Sequence, residues 1–276
     1  MTTIASTPAD TGTPPASSPA RVRATDVAPI PFARIVSVEL RKMFDTRSGF
    51  WLMGSIGILS LLATAAVIAF GAKDDLSYGA FAAAIGFPTA VLLPIVALLS
   101  VTSEWSQRTG LTTFTLVAHR GRVITAKAVC AIGVGVVSMV VAAGIGALGN
   151  LVGSTIAGVD TVWDVTVAHL ALFILAHVLG MMIGFMLGVL LRSSAAAIVG
   201  YFVYSFVLTG LTELLAFHQQ WFAEIRGWVD FNYAQGALFE GSVTAGQWAE
   251  LGVSGLFWLV IPLAVGVGLV LRSEVK

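Results

Sequence analysis

Six continuous apolar runs dominate the pattern of hydrophobic and polar positions along the chain. A helix needs about 20 apolar residues to span roughly 30 Å of hydrocarbon. The runs cover about residues 50–70, 78–101, 128–156, 165–191, 195–217 and 248–271. They are continuously apolar, whereas the strands of a membrane barrel alternate over about ten residues. The pattern therefore predicts an all-α integral membrane protein with six transmembrane helices.

The segment just before the first run has a helical periodicity of its own. Apolar residues recur there at helical spacing, namely Phe32, Ile35, Val36, Leu40, Met43 and Phe44. Its charged residues are expected largely on other faces, namely Arg34, Glu39, Arg41 and Lys42. A helix of this kind lies in the headgroup region of a bilayer. The pattern predicts an amphipathic interfacial helix on the cytoplasmic side, and a plain basic anchor is the alternative.

The first thirty or so residues differ in composition from the rest. Six of the nine prolines lie there among Ala, Ser and Thr, at Pro8, Pro14, Pro15, Pro19, Pro29 and Pro31. Such a segment has too little apolar surface to offset the entropy lost on ordering. We expect residues 1–31 to be a disordered cytoplasmic tail and residues 32–276 to form the membrane domain.

The basic residues collect on one side of the predicted membrane. All but two of the fifteen, Lys73 and Arg226, lie in the termini or in the loops of one side. Because Lys and Arg are retained in cytoplasmic loops, we expect a multi-pass plasma membrane protein with both termini in the cytoplasm. Fifteen acidic residues balance the fifteen basic ones, so the net charge does not favour nucleic acid as a partner.

The overall composition excludes a soluble globular protein. Hydrophobic residues make up 57% of the chain and charged residues only 11%, against roughly 25% charged in a soluble domain. Cys130 is the single cysteine, which excludes an internal disulfide framework.

The loop between the second and third runs, residues 103–127, contains the most informative residues. Its apolar positions are Trp105, Leu111, Phe114 and Leu116. Its charged positions are Glu104, Arg108, Arg120, Arg122 and Lys127. A solvated basic loop that simply obeys the charge rule is one interpretation of this composition.

This loop resembles that of the permease subunits of ABC-2 type transporters, especially those of actinobacterial type. The positions that match are Glu104, Thr109, Thr112, Thr113, Leu116, Arg120, Gly121, Arg122 and Lys127. Upstream, the positions that resemble the entry helix of the family are Glu39, Arg41, Lys42 and Arg47. The family often has Gly in place of Arg108 and Pro in place of Ala118, so the loop departs from the pattern at two points.

The resemblance implies a coupling function for this loop. The family places a short cytoplasmic helix here, which docks into a groove on a separate ATPase subunit. Trp105, Phe114 and Leu116 would seat such a helix, and Glu104, Arg108 and Arg122 would fix its register. Two permeases would pair with two ATPases. A substrate would move along a pathway between the permeases, and export is the expected direction. A non-transporting accessory or sensor protein of the same topology is the alternative.

The chain lacks the sequence signals of an enzyme. No lysine lies in the Gly-Lys-Ser/Thr setting of a phosphate-binding loop, so ATP and Mg²⁺ are expected on the partner, with no cofactor here. The run from Gly252 to Gly255 matches the Gly-x-Ser-Gly of rhomboid proteases, but no histidine follows Ser254 to activate it. His169 and His177 have no third ligand at suitable spacing, so we expect hydrogen-bonded packing rather than metal binding.

A stripe of small residues follows the fourth run. Gly180, Gly184 and Gly188 recur every four residues, a spacing that allows close approach of helices. The stripe predicts either packing within the chain or a seam between two copies.

Overall fold

The computed structural model describes residues 30–45, 47–106 and 120–272, and these ranges are helical almost throughout, without a strand. The helices are α1 (Phe32–Asp45), α2 (Arg47–Phe70), α3 (Tyr78–Ser106), α4 (Arg120–Ala157), α5 (Val167–Leu191), α6 (Ser194–Phe202), α7 (Thr209–His218), α8 (Gln220–Val229), α9 (Phe231–Phe239), α10 (Ala245–Gly255) and α11 (Ile261–Arg272). Short π-helical turns join α6 to α7 and α10 to α11. The expected tail, residues 1–31, lies outside the described residues except for its last two.

Six of these helical stretches are long and apolar enough to cross a membrane. They are Gly49–Phe70, Tyr78–Trp105, Gly121–Ala157, Val167–Leu191, Ser194–His218 and Ala245–Arg272. We call them the first to the sixth span. Each coincides with one of the apolar runs, so the prediction of six helices that are long and apolar enough to span a membrane is confirmed. The third span, at 37 residues, is longer than a bilayer requires.

The second and fourth spans form the centre of the bundle. Each has 44% of its apolar window buried, against 11% for the fifth span. The side chains that fill the centre include Leu93, Leu98, Val101, Met181, Ile183, Phe185 and Val189. The first, fifth and sixth spans surround them and expose large apolar residues. This exposed belt is what a lipid-facing surface requires.

The glycine stripe brings the two central spans together. A Cβ on Gly184 would collide with the backbone of Pro94, and one on Gly188 would lie 3.0 Å from the carbonyl oxygen of Leu98. Gly180 instead faces Gln235 of α9. Gly184 and Gly188 therefore pack within the chain, the first of the two alternatives that the sequence leaves open.

Pro94 lies inside α3 without ending it. A proline has no N–H, so the carbonyl of the residue four positions earlier loses its helical donor. That residue is Ala90, and the hydroxyl of Tyr201 donates to its oxygen at 2.8 Å. The bond ties the fifth span to the second span and gives the Ala90 carbonyl the donor that Pro94 cannot supply.

Candidate functional site: an ion cluster at the loop ends

Four charged side chains meet where the second and third spans flank residues 107–119. Lys127 Nζ lies 2.5 Å from Glu39 Oε2 and 3.4 Å from Glu104 Oε1. Lys42 Nζ lies 2.7 Å from Glu39 Oε1 and 3.2 Å from Glu104 Oε1. We call these four residues the ion cluster. It joins α1 to the end of the second span and to the beginning of the third.

α1 packs against the third span and brings Glu39 into the cluster. Ile35 and Glu39 are one turn apart, and both are buried. The thiol of Cys130, on the third span, donates to the carbonyl of Val36 at 3.3 Å. The expectation that Glu39 lies on a polar face of α1 is wrong, because Glu39 occupies the face that packs against the bundle. Arg41 is exposed on the opposite side.

Three of the four side chains of the ion cluster are almost entirely removed from solvent. Glu39 is 3% exposed, and Glu104 and Lys127 are each 5% exposed. Isolated charges at such burial are very unfavourable, and a pair is tolerated only with good geometry and further hydrogen bonds. Two acids meet two bases here, so the charges balance. Lys127 also donates to the carbonyl of Ser100 at 3.0 Å.

Lys42 is the member of the cluster that reaches solvent, with 43% of its side chain exposed. Desolvation opposes its protonation, but the hydrogen bond and charge of Glu39, followed by those of Glu104, raise its pKa above the ordinary lysine value. Lys42 therefore remains a cation at neutral pH. It supplies the second positive charge that balances the two carboxylates, since Lys127 supplies only one.

Other predicted loop residues have different positions. Trp105 is partly buried against the core that contains Val101, so part of its side chain packs within its own chain. Arg122, one turn before Lys127, is partly buried. Four predicted coupling residues lie outside the described residues, namely Arg108, Thr109, Phe114 and Leu116. The same holds for the side chains of Arg47 and Arg120, although their backbones lie in α2 and α4.

The sequence analysis selected all four cluster residues but did not predict their mutual contact. The signal was present in α1, because Glu39 lies one turn from Ile35 and from Met43, both on the apolar stripe. A carboxylate in the middle of an apolar face requires a buried cation. A further tie was missed: the Thr102 and Ser194 hydroxyls lie 2.8 Å apart and link the second span to the fifth.

The two histidines lie in the half of the fourth span that is farther from the ion cluster. His177 is buried, with Nδ1 at 2.8 Å from the carbonyl of Phe173 and Nε2 at 3.1 Å from that of Gly86. His169 Nε2 lies 2.9 Å from the carbonyl of Phe239. Both rings are thus engaged with backbone carbonyls. Within the described ranges, no group of three or more His, Cys, Asp or Glu residues could hold a metal ion.

Comparison of the chain with protein-family models and with curated proteins found no match. The ion cluster itself contains balanced, mutually paired charges, and Ser254, the residue of the rhomboid-like match, is buried and donates to the Glu250 carbonyl at 2.7 Å. The ion cluster joins three helices through these charge pairs.

Proposed function

We propose that this chain is the permease subunit of an ATP-driven transporter of the ABC-2 type, working as an exporter. The observation that carries the proposal is the ion cluster, because it connects α1 to both helices that flank the loop resembling the coupling loop of that family. Six membrane-spanning helices and a packed amphipathic α1 are also what such a permease needs.

In this proposal the ion cluster transmits movement. A force applied to residues 107–119 acts on the ends of the second and third spans, which Glu104 and Lys127 hold together. Glu39 makes α1 move with them. The second span contacts the fourth through Gly184 and Gly188, so a displacement at the loop reaches the centre of the bundle. Chains of packed helices with discrete arrangements are the physical basis of such coupling.

The proposed complex divides the chemistry between chains. A separate P-loop ATPase binds ATP and Mg²⁺ and docks against the end that contains the ion cluster, which lies on the cytoplasmic side together with both termini of the chain. A second permease copy, identical or homologous, completes the pathway within the plasma membrane. The lipid bilayer surrounds the complex, and nucleic acid has no part in it.

The test is co-purification of the tagged chain with the ATPase encoded beside it, in mild detergent. Phe114→Asp places a charge where the loop resemblance expects an apolar contact, and loss of such an anchor typically costs about 2 kcal/mol or more. We expect at least tenfold less ATPase to be retained. The matched control is Phe217→Asp, which changes a Phe that is 84% exposed at the opposite end of the bundle.

Equal retention of the ATPase by both variants would count against docking through the loop. A chain that inserts correctly but retains no P-loop ATPase even without substitution would favour the accessory or sensor alternative.

A further inference from the structure

A cavity of about 390 Å³ lies between the second and fourth spans, at the opposite end of the bundle from the ion cluster. Phe239 of α9 contributes to its wall. The volume falls within the range of about 300–1,000 Å³ that is usual for small-molecule sites. The ion cluster and the proposed coupling loop have no part in this cavity.

The wall from the second span is smooth and apolar. It consists mainly of small residues at helical spacing, namely Gly79, Ala82, Ala83, Gly86 and Ala90. Residues 79 and 90 lie about 16 Å apart along a helix that rises 1.5 Å per residue. Leu170 and Phe173 of the fourth span form the facing wall. The cavity is therefore an apolar slot, which Phe173 narrows where its ring packs against Gly86.

Three of the four histidine ring nitrogens that line the slot lie within hydrogen-bond distance of backbone carbonyls, and each neutral ring can donate one such bond. Both ring nitrogens of His177 lie within hydrogen-bond distance of backbone carbonyls, and Nε2 of His169 lies 2.9 Å from the Phe239 carbonyl. A polar group buried in the slot would have to compete with these bonds or remain unpaired, which is unfavourable. The part of a ligand that fits the slot is therefore apolar.

The slot opens on the exposed side of the second span, within its membrane-spanning length. Ala83 and Ala90 are exposed, and Phe87 is 75% exposed. All three belong to the second span, so the opening faces lipid hydrocarbon. A ligand reaches the slot from within the bilayer, as an amphiphile would.

The end of the slot carries negative charge. Asp164 Oδ1 accepts a hydrogen bond from the backbone N–H of Gly79 at 2.7 Å. Desolvation opposes its ionisation, but the hydrogen bonds from Ser77 and Gly79 outweigh this effect and lower the pKa of Asp164. Glu240, which directly follows Phe239, is exposed.

Basic groups do not balance these acids. Lys73 and Arg226 are the two Lys or Arg residues of this side of the chain, against nine Asp and Glu residues. His169 lines the slot and contributes to the lowered pKa of Asp164. Arg226 already pairs with Glu213 and Asp230, at 3.5 and 3.4 Å. An anionic headgroup would be repelled at the end of the slot, whereas an ammonium group would be attracted.

We infer that this slot binds a cationic amphiphile, with its alkyl chain between the second and fourth spans and its ammonium group beside Asp164 and Glu240. Alkyl burial supplies most of the affinity. The exposed carboxylates select the sign of the headgroup, a contribution of about fivefold for a charge pair near solvent. Binding at this site requires no ATPase, so it stands apart from the proposed transport function.

The experiment uses the purified chain in phosphatidylcholine nanodiscs and a dodecyltrimethylammonium probe that carries a diazirine at the end of its alkyl chain. After illumination, mass spectrometry maps the labelled residues. We expect labelling within residues 79–90 and 165–177. Unlabelled dodecyltrimethylammonium should suppress the labelling at a concentration about fivefold lower than dodecanol requires. Dodecyl sulfate should require a higher concentration than dodecanol.

Two substitutions with matched controls separate the alkyl slot from the charged end. Ala83→Phe fills the opening and should lower the labelling at least about fivefold, whereas Ala65→Phe, at an exposed alanine of the first span, should not. Asp164→Asn keeps an acceptor for the Gly79 amide but removes the charge, so it should reduce the preference for ammonium over alcohol. Asp160→Asn changes an exposed acid of the same loop and should keep that preference.

Unchanged labelling in a correctly folded Ala83→Phe variant would overturn the site. Equal competition by dodecyl sulfate and dodecyltrimethylammonium would overturn the charge selectivity. Either result would leave the transport proposal untouched, because no ATPase is present in the measurement.

Discussion

Lys127 and Glu39 form a buried ion pair in which Nζ lies 2.5 Å from Oε2, although one belongs to the third span and the other to the helix before the first span. Glu104 lies 3.4 Å from the same Nζ. One lysine thus holds two acids from different helices, and the structure of this end of the bundle depends on it.

Lys127→Met should destabilise the protein strongly. It leaves Glu39 and Glu104 with Lys42 as their remaining cluster partner, and the loss of one member of a buried ion pair typically costs about 3–5 kcal/mol. The measurement is unfolding in mild detergent, followed by circular dichroism. Glu39→Gln combined with Lys127→Met should recover part of the loss, because Glu104 and Lys42 then remain as one pair.

The control for this prediction is Arg41→Met, on the exposed side of α1, where a change of about 0.5 kcal/mol or less is expected. If Lys127→Met is no more destabilising than Arg41→Met, the ion cluster does not hold the helices together.

Gly184→Ala should destabilise the packing of the two central spans. The added methyl collides with the Pro94 backbone, which cannot yield as a flexible side chain would, so we expect a cost of about 1–3 kcal/mol. Gly133→Ala is the matched control, since a Cβ there meets nothing within 4 Å. Equal melting temperatures for the two variants in mild detergent would show that the close contact is absent.

Accessible cysteines test the proposed orientation. Cys130 is buried and can be replaced by alanine to provide a cysteine-free background. Arg34→Cys on α1 and Glu224→Cys on α8 change exposed residues at opposite ends of the bundle. Because Lys and Arg are generally retained in cytoplasmic loops, an impermeant thiol reagent in intact cells should label Glu224→Cys but not Arg34→Cys. The reverse pattern would place both termini outside.

The membrane architecture could be predicted from the sequence, and its internal contacts largely could not. The existence of a span follows from apolar length alone. Five of the six runs agree with the spans to within about four residues at each end, and the third span begins seven residues before its predicted start. The partner of Gly184 could not be found this way, because small residues permit close approach without naming the helix that approaches. The same limit applies to the ion cluster. The position of Glu39 on the apolar face of α1 predicts that it needs a buried cation. The identity of that cation, Lys127, follows only from the packing of α1 on the third span.

The pH dependence of the melting temperature should report the hydrogen bonds that the Asp164 carboxylate accepts from Ser77 and Gly79. Its pKa in the folded protein is lowered from the ordinary 3.8, so its stabilising contribution is present above that value and is lost as pH falls through the lowered pKa. Asp164→Asn should therefore reduce the melting temperature by a constant amount between about pH 5 and 8. The difference should narrow below about pH 4. A constant difference down to about pH 2 would show that the carboxylate charge does not contribute.

The most direct test of the central claim is ATP-driven flux in proteoliposomes. The chain is reconstituted alone and then with its neighbouring ATPase. ATP hydrolysis and the movement of a panel of fluorescent candidate substrates of different charge and size are followed with and without ATP. We expect no ATP hydrolysis and no flux by the chain alone, and both with the ATPase. Phosphoryl transfer needs a phosphate cradle, and no lysine of this sequence lies in a Gly-Lys-Ser/Thr setting. Hydrolysis by the repurified chain alone, or equal flux without the ATPase, would contradict this expectation.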